Sequence, residues 1–259
     1  MIDHFAMSGI RFLFAVTCML MSPLVYADQA GGQAEDFFKQ KEHDKALSIW
    51  YDMIESGKST AGIFYNIGLA ESQLNNTPKA MLGFEKALRL KPMNGAIQSA
   101  ISEERKKIQD ATIPVEPFFL SEWYKAVVTF LRPGYWSFIG LGLIGLAILS
   151  LLGTTKKITT DKGQVLRFKI PIAVLGACLV LTGWLSYSEI YRENEAIIAT
   201  ACEVRQAPAS DSPEIRTLNP GEKITMTDSI GEWYHVQLLN LDAGWLKKDC
   251  LIPIVIDPR

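Results

Sequence analysis

Apolar and polar positions follow three rhythms along the chain. Across residues 33–110 apolar side chains recur at helical spacing, Phe37, Ala46, Trp50, Met53, Phe64, Ile67, Ala80, Phe84 and Ala87 among them. Residues 135–152 and 170–187 carry no charge at all, and each run is close to the roughly 20 residues a helix needs to cross the hydrocarbon core of a bilayer. From Glu195 onward, short runs rich in Ile, Val, Thr and Tyr alternate with Gly, Pro, Asn and Asp clusters, the pattern of short strands joined by turns. The expected fold class is a multidomain membrane protein: an all-α region, a two-helix transmembrane hairpin and a small all-β barrel.

The segment between the apolar runs, 153–169, holds Lys156, Lys157, Lys162, Arg167 and Lys169 against the single acid Asp161. Basic residues in short loops stay on the cytoplasmic side, so this loop is predicted to be cytoplasmic and both flanking domains extracytoplasmic. Residues 1–27 read as a secretory signal, with Arg11, an apolar core over 12–21, Pro23 and the site Val25-Tyr26-Ala27 before Asp28; an uncleaved anchor would leave the domains in the same place, and Met7 is an alternative start. Gly140-Leu141-Gly142-Leu143-Ile144-Gly145 formally matches a dinucleotide fingerprint but lacks the strand, amphipathic helix and acidic residue that the chemistry needs. With Ala173, Gly176, Ala177 and Gly183 on the second run, these small residues are expected to let two membrane helices approach.

Within 28–112 the pattern repeats with a period of 34: Ala46 aligns with Ala80, Trp50 with Phe84, and Met53 with Ala87. This resembles the tetratricopeptide repeat, whose pattern falls on Phe64, Ile67, Gly68, Ala80, Phe84, Ala87 and Pro92 of the second copy. The resemblance implies that Gly68 and Ala80 let two helices come close, and that Phe64 and Phe84 fill the space between neighbours. Asn75-Asn76-Thr77-Pro78 is the expected turn, with Thr77 as N-cap. Glu71 stands where the family prefers tyrosine. Residues 94–110 read as a capping helix whose outer face carries Glu103, Glu104, Arg105, Lys106 and Lys107. Two repeats fall short of the three or so that bury a continuous core, so the array is predicted to lean on a partner, a second copy or the segment that follows. That segment, 113–134, contains Phe118, Phe119, Trp123, Tyr124, Val127, Val128 and Phe130, and suits either the membrane interface or packing beneath the repeats.

In the tail (188–259) the stretches Val204-Arg205-Gln206-Ala207-Pro208, Leu218-Asn219-Pro220-Gly221-Glu222, Gly231-Glu232-Trp233-Tyr234-His235-Val236 and Ala243-Gly244-Trp245-Leu246 resemble, in order and spacing, the bacterial SH3 domain. The resemblance implies a turn at Pro220-Gly221, a wall anchored by Trp233, and Trp245 with its ring against the core. It also implies an aromatic groove for peptide or cell-wall stem peptide, with Tyr234 and Trp245 as candidates, set against the plainer role of both in the core. First and last strands of such a barrel run close together, so Cys202 and Cys250 are candidates for a disulfide contributing on the order of 3 to 4 kcal/mol, or else two unrelated thiols.

Over 259 residues with a net charge of −2, the only basic cluster is the short loop, which argues against nucleic acid. Four dispersed cysteines and three histidines in different segments make no metal site. No nucleophile elbow, phosphate loop or metalloprotease motif occurs, so neither an enzyme nor a cofactor is expected, and Asp36, Glu42, Asp44, Glu71, Glu85, Glu103 and Glu104 are read as solvated helix faces. The complete order of segments resembles the repeat-and-SH3 member of the aerotolerance-operon Bat proteins. This implies a multi-pass protein of the bacterial cytoplasmic membrane, working with other Bat-type membrane proteins and a MoxR-type ATPase in oxidative-stress tolerance or envelope maintenance. The expected function is a non-enzymatic scaffold with Tyr65, Asn66 and Glu71 as partner contacts; the alternative is an envelope sensor or wall-peptide binder acting through the SH3 domain.

Overall fold

A computed structural model describes residues 31–113, 115, 119–131, 133–153 and 162–257. The expected secretory signal and residues 154–161 of the expected loop lie outside the described residues.

The helical layer comprises α1, whose described part covers 31–39, α2 His43–Glu55, α3 Ala61–Gln73, α4 Thr77–Leu90 and α5 Gly95–Arg105. From α2 onward each helix packs on the next. The closest approach lies between α3 and α4, and glycine is what allows it. A Cβ on Gly83 would stand 2.8 Å from the Gly68 nitrogen, and one on Gly68 would stand 2.5 Å from the Phe84 ring. The sequence reading assigned this crossing to Gly68 and Ala80; Ala80 is fully buried nearby, but it is Gly83 that meets Gly68. Asn76, not Thr77, occupies the N-cap of α4, and its side chain makes no capping bond. Thr77 is the first helical residue, and its hydroxyl donates to Glu104 Oε1 at 2.9 Å. At α5 the Asn94 side chain accepts from the amides of Ala96 and Ile97, which starts a helix that ends at Arg105, five residues before the expected boundary.

The C-terminal part is one antiparallel sheet built from β1 Glu195–Ile198, β2 Cys202–Arg205, β3 Glu214–Leu218, β4 Lys223–Ile230, β5 Trp233–Leu238, β6 Ala243–Lys247 and β7 Leu251–Pro253. Its strand order is β3-β2-β6-β5-β4-β1-β7. The turn between β3 and β4 runs through Pro220-Gly221, with Gly221 at φ +96°. The barrel core gathers Ala196, Ile198, Val204, Leu218, Ile224, Val236, Leu238 and Leu246.

β1 joins the two parts. Successive side chains of a strand point to opposite faces, and here both faces are covered: Ala196 and Ile198 enter the barrel core, while Ile197 packs with Phe64, Ala80, Met81, Phe84, Ile97 and Ile101 of the helical layer. Ile254 and Ile256 of the segment after β7 join the same helical cluster. The short array therefore leans on β1 and the C-terminal segment. A second seam runs along 109–115: Thr112 donates to Glu222 from both amide and hydroxyl, Asn219 Nδ2 donates to the Gln109 carbonyl at 2.8 Å, and the Val115 amide donates to the Leu239 carbonyl at 3.0 Å.

The described residues hold further α-helices in α6 Phe119–Thr129, α7 Pro133–Gly153 and α8 Lys162–Ile190. α8 begins eight residues before the apolar run, so part of the expected loop is helical. α7 and α8 pack along one another with glycine against glycine: a Cβ on Gly140 would stand 2.6 Å from the Gly176 carbonyl oxygen. Among the described residues, Ile170–Ile190 is long and apolar enough to cross a membrane, and only 17% of its apolar window is buried, unlike the core helix of a globular domain. Trp123–Thr129 and Pro133–Leu149 pass the same test together, as a pair bent by 72°. Of the two predicted spans, one meets the criterion alone.

Candidate functional site

The outer face of the SH3-like sheet carries the most chemistry that solvent can reach. Pairing across β2, β6 and β5 places Arg205 opposite Trp245 and Trp245 opposite His235; two pairs further along β5 and β6, on the same face, Trp233 stands opposite Lys247. The His235 and Trp245 rings meet edge to face at 5.0 Å, the Lys247 ammonium lies 5.8 Å from the Trp233 ring centre, and Thr227 Oγ1 is 2.6 Å from His235 Nδ1. Arg205 is steadied by a hydrogen bond to the Ser212 carbonyl at 2.6 Å and by an ion pair with Glu203. Beside this row a cleft of about 240 Å³ is lined by Glu203, Arg205, Ser210, Trp233 and Lys247. An indole wall with charges of both signs is suited to a peptide, whose apolar side chains stack while its carboxylate and amine groups pair.

This geometry corrects the predicted groove. Tyr234 and Trp245 lie on opposite faces of the sheet. Tyr234 packs against the core beside Val236 and under the Lys248 ammonium at 4.8 Å, whereas Leu246 fills the core position that the sequence reading gave to Trp245. Trp233, expected to anchor the wall, is half-buried on the outer face. Cys202 and Cys250 are bonded to each other, Cα to Cα 6.0 Å, across a sequence separation of 48; closing a loop of that length contributes about 4 kcal/mol in the chain-entropy account.

The helical candidates divide. Tyr65 and Asn66 on α3 are half-buried, and the Tyr65 ring lies 5.8 Å from that of Phe84. Glu71 is buried, 3% exposed, and accepts from the Tyr51 hydroxyl at 3.2 Å. It is a packing group and not a groove contact. Burial, then the Glu71 charge and hydrogen bond, push the Tyr51 hydroxyl up to about 12. Glu85 and Glu104 are likewise buried, contrary to the reading of both as solvated. Glu104 accepts from Ser72 and Thr77 and pairs with Lys107 at 2.8 Å.

Glu85 belongs to an ion cluster between α4 and the sheet. Lys223 on β4 bridges Glu85 at 2.8 Å and Glu195 at 3.0 Å. Glu195 also meets Arg89 at 3.0 Å and Arg192 at 3.0 Å, and Arg89 donates to the carbonyls of Arg192 and Ile254. Burial alone would raise the Glu195 carboxyl, but the charges of Lys223, Arg192 and Arg89 outweigh it and hold the group at about 2. Burial would likewise lower Lys223, and Glu85 and Glu195 reverse the sign. Arg89 and Glu85 on α4 lie more than a hundred residues from their partners Glu195 and Lys223, so no local motif announces the cluster. Among the described residues no group of three or more His, Cys, Asp or Glu could hold a metal ion.

Two apolar clefts of about 650 and 630 Å³ flank Leu90 and Ile190, where the helical layer meets the hairpin. The first runs beneath Phe130 and Leu131, the second beside Tyr135, Phe138 and Tyr187.

Residues 200–252 match the bacterial SH3 domain family. The match covers β2 to β6 and enters β7, leaving β1 and the helical segments outside it. No curated protein and no solved structure matches the chain.

Proposed function

We propose that the protein is a non-enzymatic binding protein held at the bacterial membrane by its α7–α8 hairpin, and that the outer face of its SH3 domain takes cell-wall or envelope peptide. The observation that carries this reading is the cleft between Trp233, Lys247, Glu203 and Arg205, continued by the Trp245–His235 pair. Peptide and peptidoglycan are the ligands that bacterial SH3 domains commonly take. The basic residues between the apolar runs favour a cytoplasmic loop, which would leave the helical layer and the SH3 domain together on the extracytoplasmic side, facing the wall.

The test is retention of the full chain, in detergent micelles, on sedimented purified wall material. A W233A/W245A protein that keeps the wild-type melting temperature should bind at least about tenfold less, since buried aromatic anchors are worth about 2 kcal/mol or more at a binding surface. Retention equal to wild type would end this assignment.

A second reading, the scaffold, draws support from a groove of about 240 Å³ between α2 and α4, lined by Tyr51, Ile54, Lys79 and Lys86 and shared with Val255 and Asp257 of the C-terminal segment. Here the helical layer, a tetratricopeptide-like array in this reading, would hold another membrane protein, of Bat type if the architectural resemblance extends to partners. Crosslinking on intact membranes separates the two: links from Lys79 or Lys86 to other proteins support the scaffold, and links confined to the chain leave the SH3 face as the working surface.

A further inference from the structure

Leu120, Trp123, Tyr124 and Val127 of α6 fall at i, i+3, i+4 and i+7, the spacing that puts side chains on one face of a helix. All four are exposed, Trp123 at 65%. Packing within the chain accounts for the other side of the helix. Val128 is 3% exposed, Ala126 and Thr129 line the cleft towards the helical layer, and α6 packs on α8. The Trp136 Nε1–H donates to the Val128 carbonyl at 3.1 Å, which ties the end of α6 to the first turn of α7. A contiguous apolar face on a helix held in place from behind marks a surface for a partner.

The partner follows from where this face lies. Residues 137–183 contain neither Trp nor Tyr, whereas Trp123, Tyr124, Tyr135, Trp136, Trp184 and Tyr187 flank them on both sides. The packing of α7 on α8 brings the two flanks level: a Cβ on Gly183 would stand 3.0 Å from the Pro133 carbonyl oxygen, so the first turn of α7 lies beside the stretch of α8 that carries Trp184 and Tyr187. Tyr135, Trp184 and Tyr187 are exposed there. Trp and Tyr gather where a membrane helix meets the headgroups. From this aromatic level α6 leaves α7 at a bend of 72° and so lies across the direction of the spans. Ala126 and Thr129 face the helical layer across the cleft, so the apolar face points away from that layer. With the hairpin in a membrane, the helical layer stands outside it, and the direction away from the layer is the direction of the lipid.

We propose that α6 is an interfacial helix whose exposed face docks on the membrane, at the boundary between headgroups and acyl chains of the leaflet beneath the helical layer. A helix in that plane buries its apolar face in the boundary. The inference rests on the membrane reading of the hairpin given above and adds to it a second, peripheral contact with lipid. Its consequence is positional. The helical layer meets α6 across the cleft lined by Leu90, Met93 and Ile190, so a docked α6 holds that layer at headgroup level and sets how far the SH3 face stands from the membrane.

The test is depth-dependent fluorescence quenching of the full chain reconstituted in phosphatidylcholine vesicles, with the lipid brominated either near the headgroup or near the end of its acyl chain. The emission of wild type less that of Trp123→Phe, a substitution at an exposed position, isolates the Trp123 signal. That signal should be lost to the lipid brominated near the headgroup, lost less to the other, and should resist iodide present on both sides of the vesicle. Loss chiefly to the lipid brominated near the chain end would put α6 in the depth of the bilayer and overturn the inference. Quenching by iodide and by neither lipid would put the face in water, and protection from all three quenchers would put it under another protein or a second copy; either result overturns the inference. Flotation of the vesicles is read alongside. A protein that fails to float overturns the membrane reading and the inference with it, whereas flotation without quenching of Trp123 by lipid overturns the inference alone.

Discussion

Glu195 touches Arg89, Arg192 and Lys223, each at 3.0 Å, and so couples acid titration to the junction between helices and sheet. Its folded pKa of about 2 lies below the ordinary 4.5, so the carboxylate stabilises the fold above about pH 4.5. That contribution is lost as pH falls through about 2. Denaturant unfolding between pH 6 and pH 2 should therefore steepen below pH 4.5, and E195Q should flatten this dependence. At neutral pH, E195Q leaves the buried Arg89 and the partly buried Arg192 and Lys223 short of a counter-charge and should cost about 3 kcal/mol; an acid slope equal to wild type would show that the titration resides elsewhere. At this scale the sequence is least legible. Glu85 sits on α4 among residues that read as a solvated helix face, and Lys223 lies 138 positions away. A carboxylate looks alike in a list of residues whether it meets water or an ammonium, because the partner comes from the fold.

Elements are more legible than faces. Helical spacing, strand alternation and turn residues mark α2 to α5 and β2 to β6 well, because local propensity and the buried pattern agree there. What the pattern leaves open is which side of a strand meets the core, since a slip of one residue exchanges the two faces. Trp245 is the case in point: its size suggests the interior, yet Leu246 is fully buried and Trp245 meets His235 outside. The angle between elements is a second blind spot: the sequence sets 113–134 apart from the apolar run that follows, but it does not give the 72° turn between α6 and α7. Gly83 tests the α3–α4 crossing. Its absent Cβ would fall 2.9 Å from both the Gly68 Cα and the Phe64 carbonyl oxygen, and backbone yields less readily than a side chain. G83V should therefore destabilise the helical layer by about 3 kcal/mol or more, read as a lower melting temperature in far-ultraviolet circular dichroism; an unchanged melt would mean that the helices cross elsewhere.

In the whole molecule, the helices and the barrel behave as one folded unit because Ile197, Ile254 and Ile256 lie in the helical cluster although they belong to the sheet and its tail. The sequence divides the chain at the hairpin, with a domain on each side, and nothing in its local pattern says that the two domains meet. Replacing Ile254 and Ile256 by alanine should cost about 2 to 5 kcal/mol each and should raise hydrogen exchange in α4, far away in sequence. Exchange confined to the sheet would mean that the parts fold independently.

β1 also has a mechanical consequence. It pairs with β4 on one edge and β7 on the other, and only residues 191–194 separate it from α8. Under the proposed function, with the hairpin in a membrane and the barrel on the wall, tension between them would enter the barrel through this strand. Pulled along its own axis, a strand flanked on both edges loads both ladders in shear, so their hydrogen bonds must fail together instead of unzipping one by one.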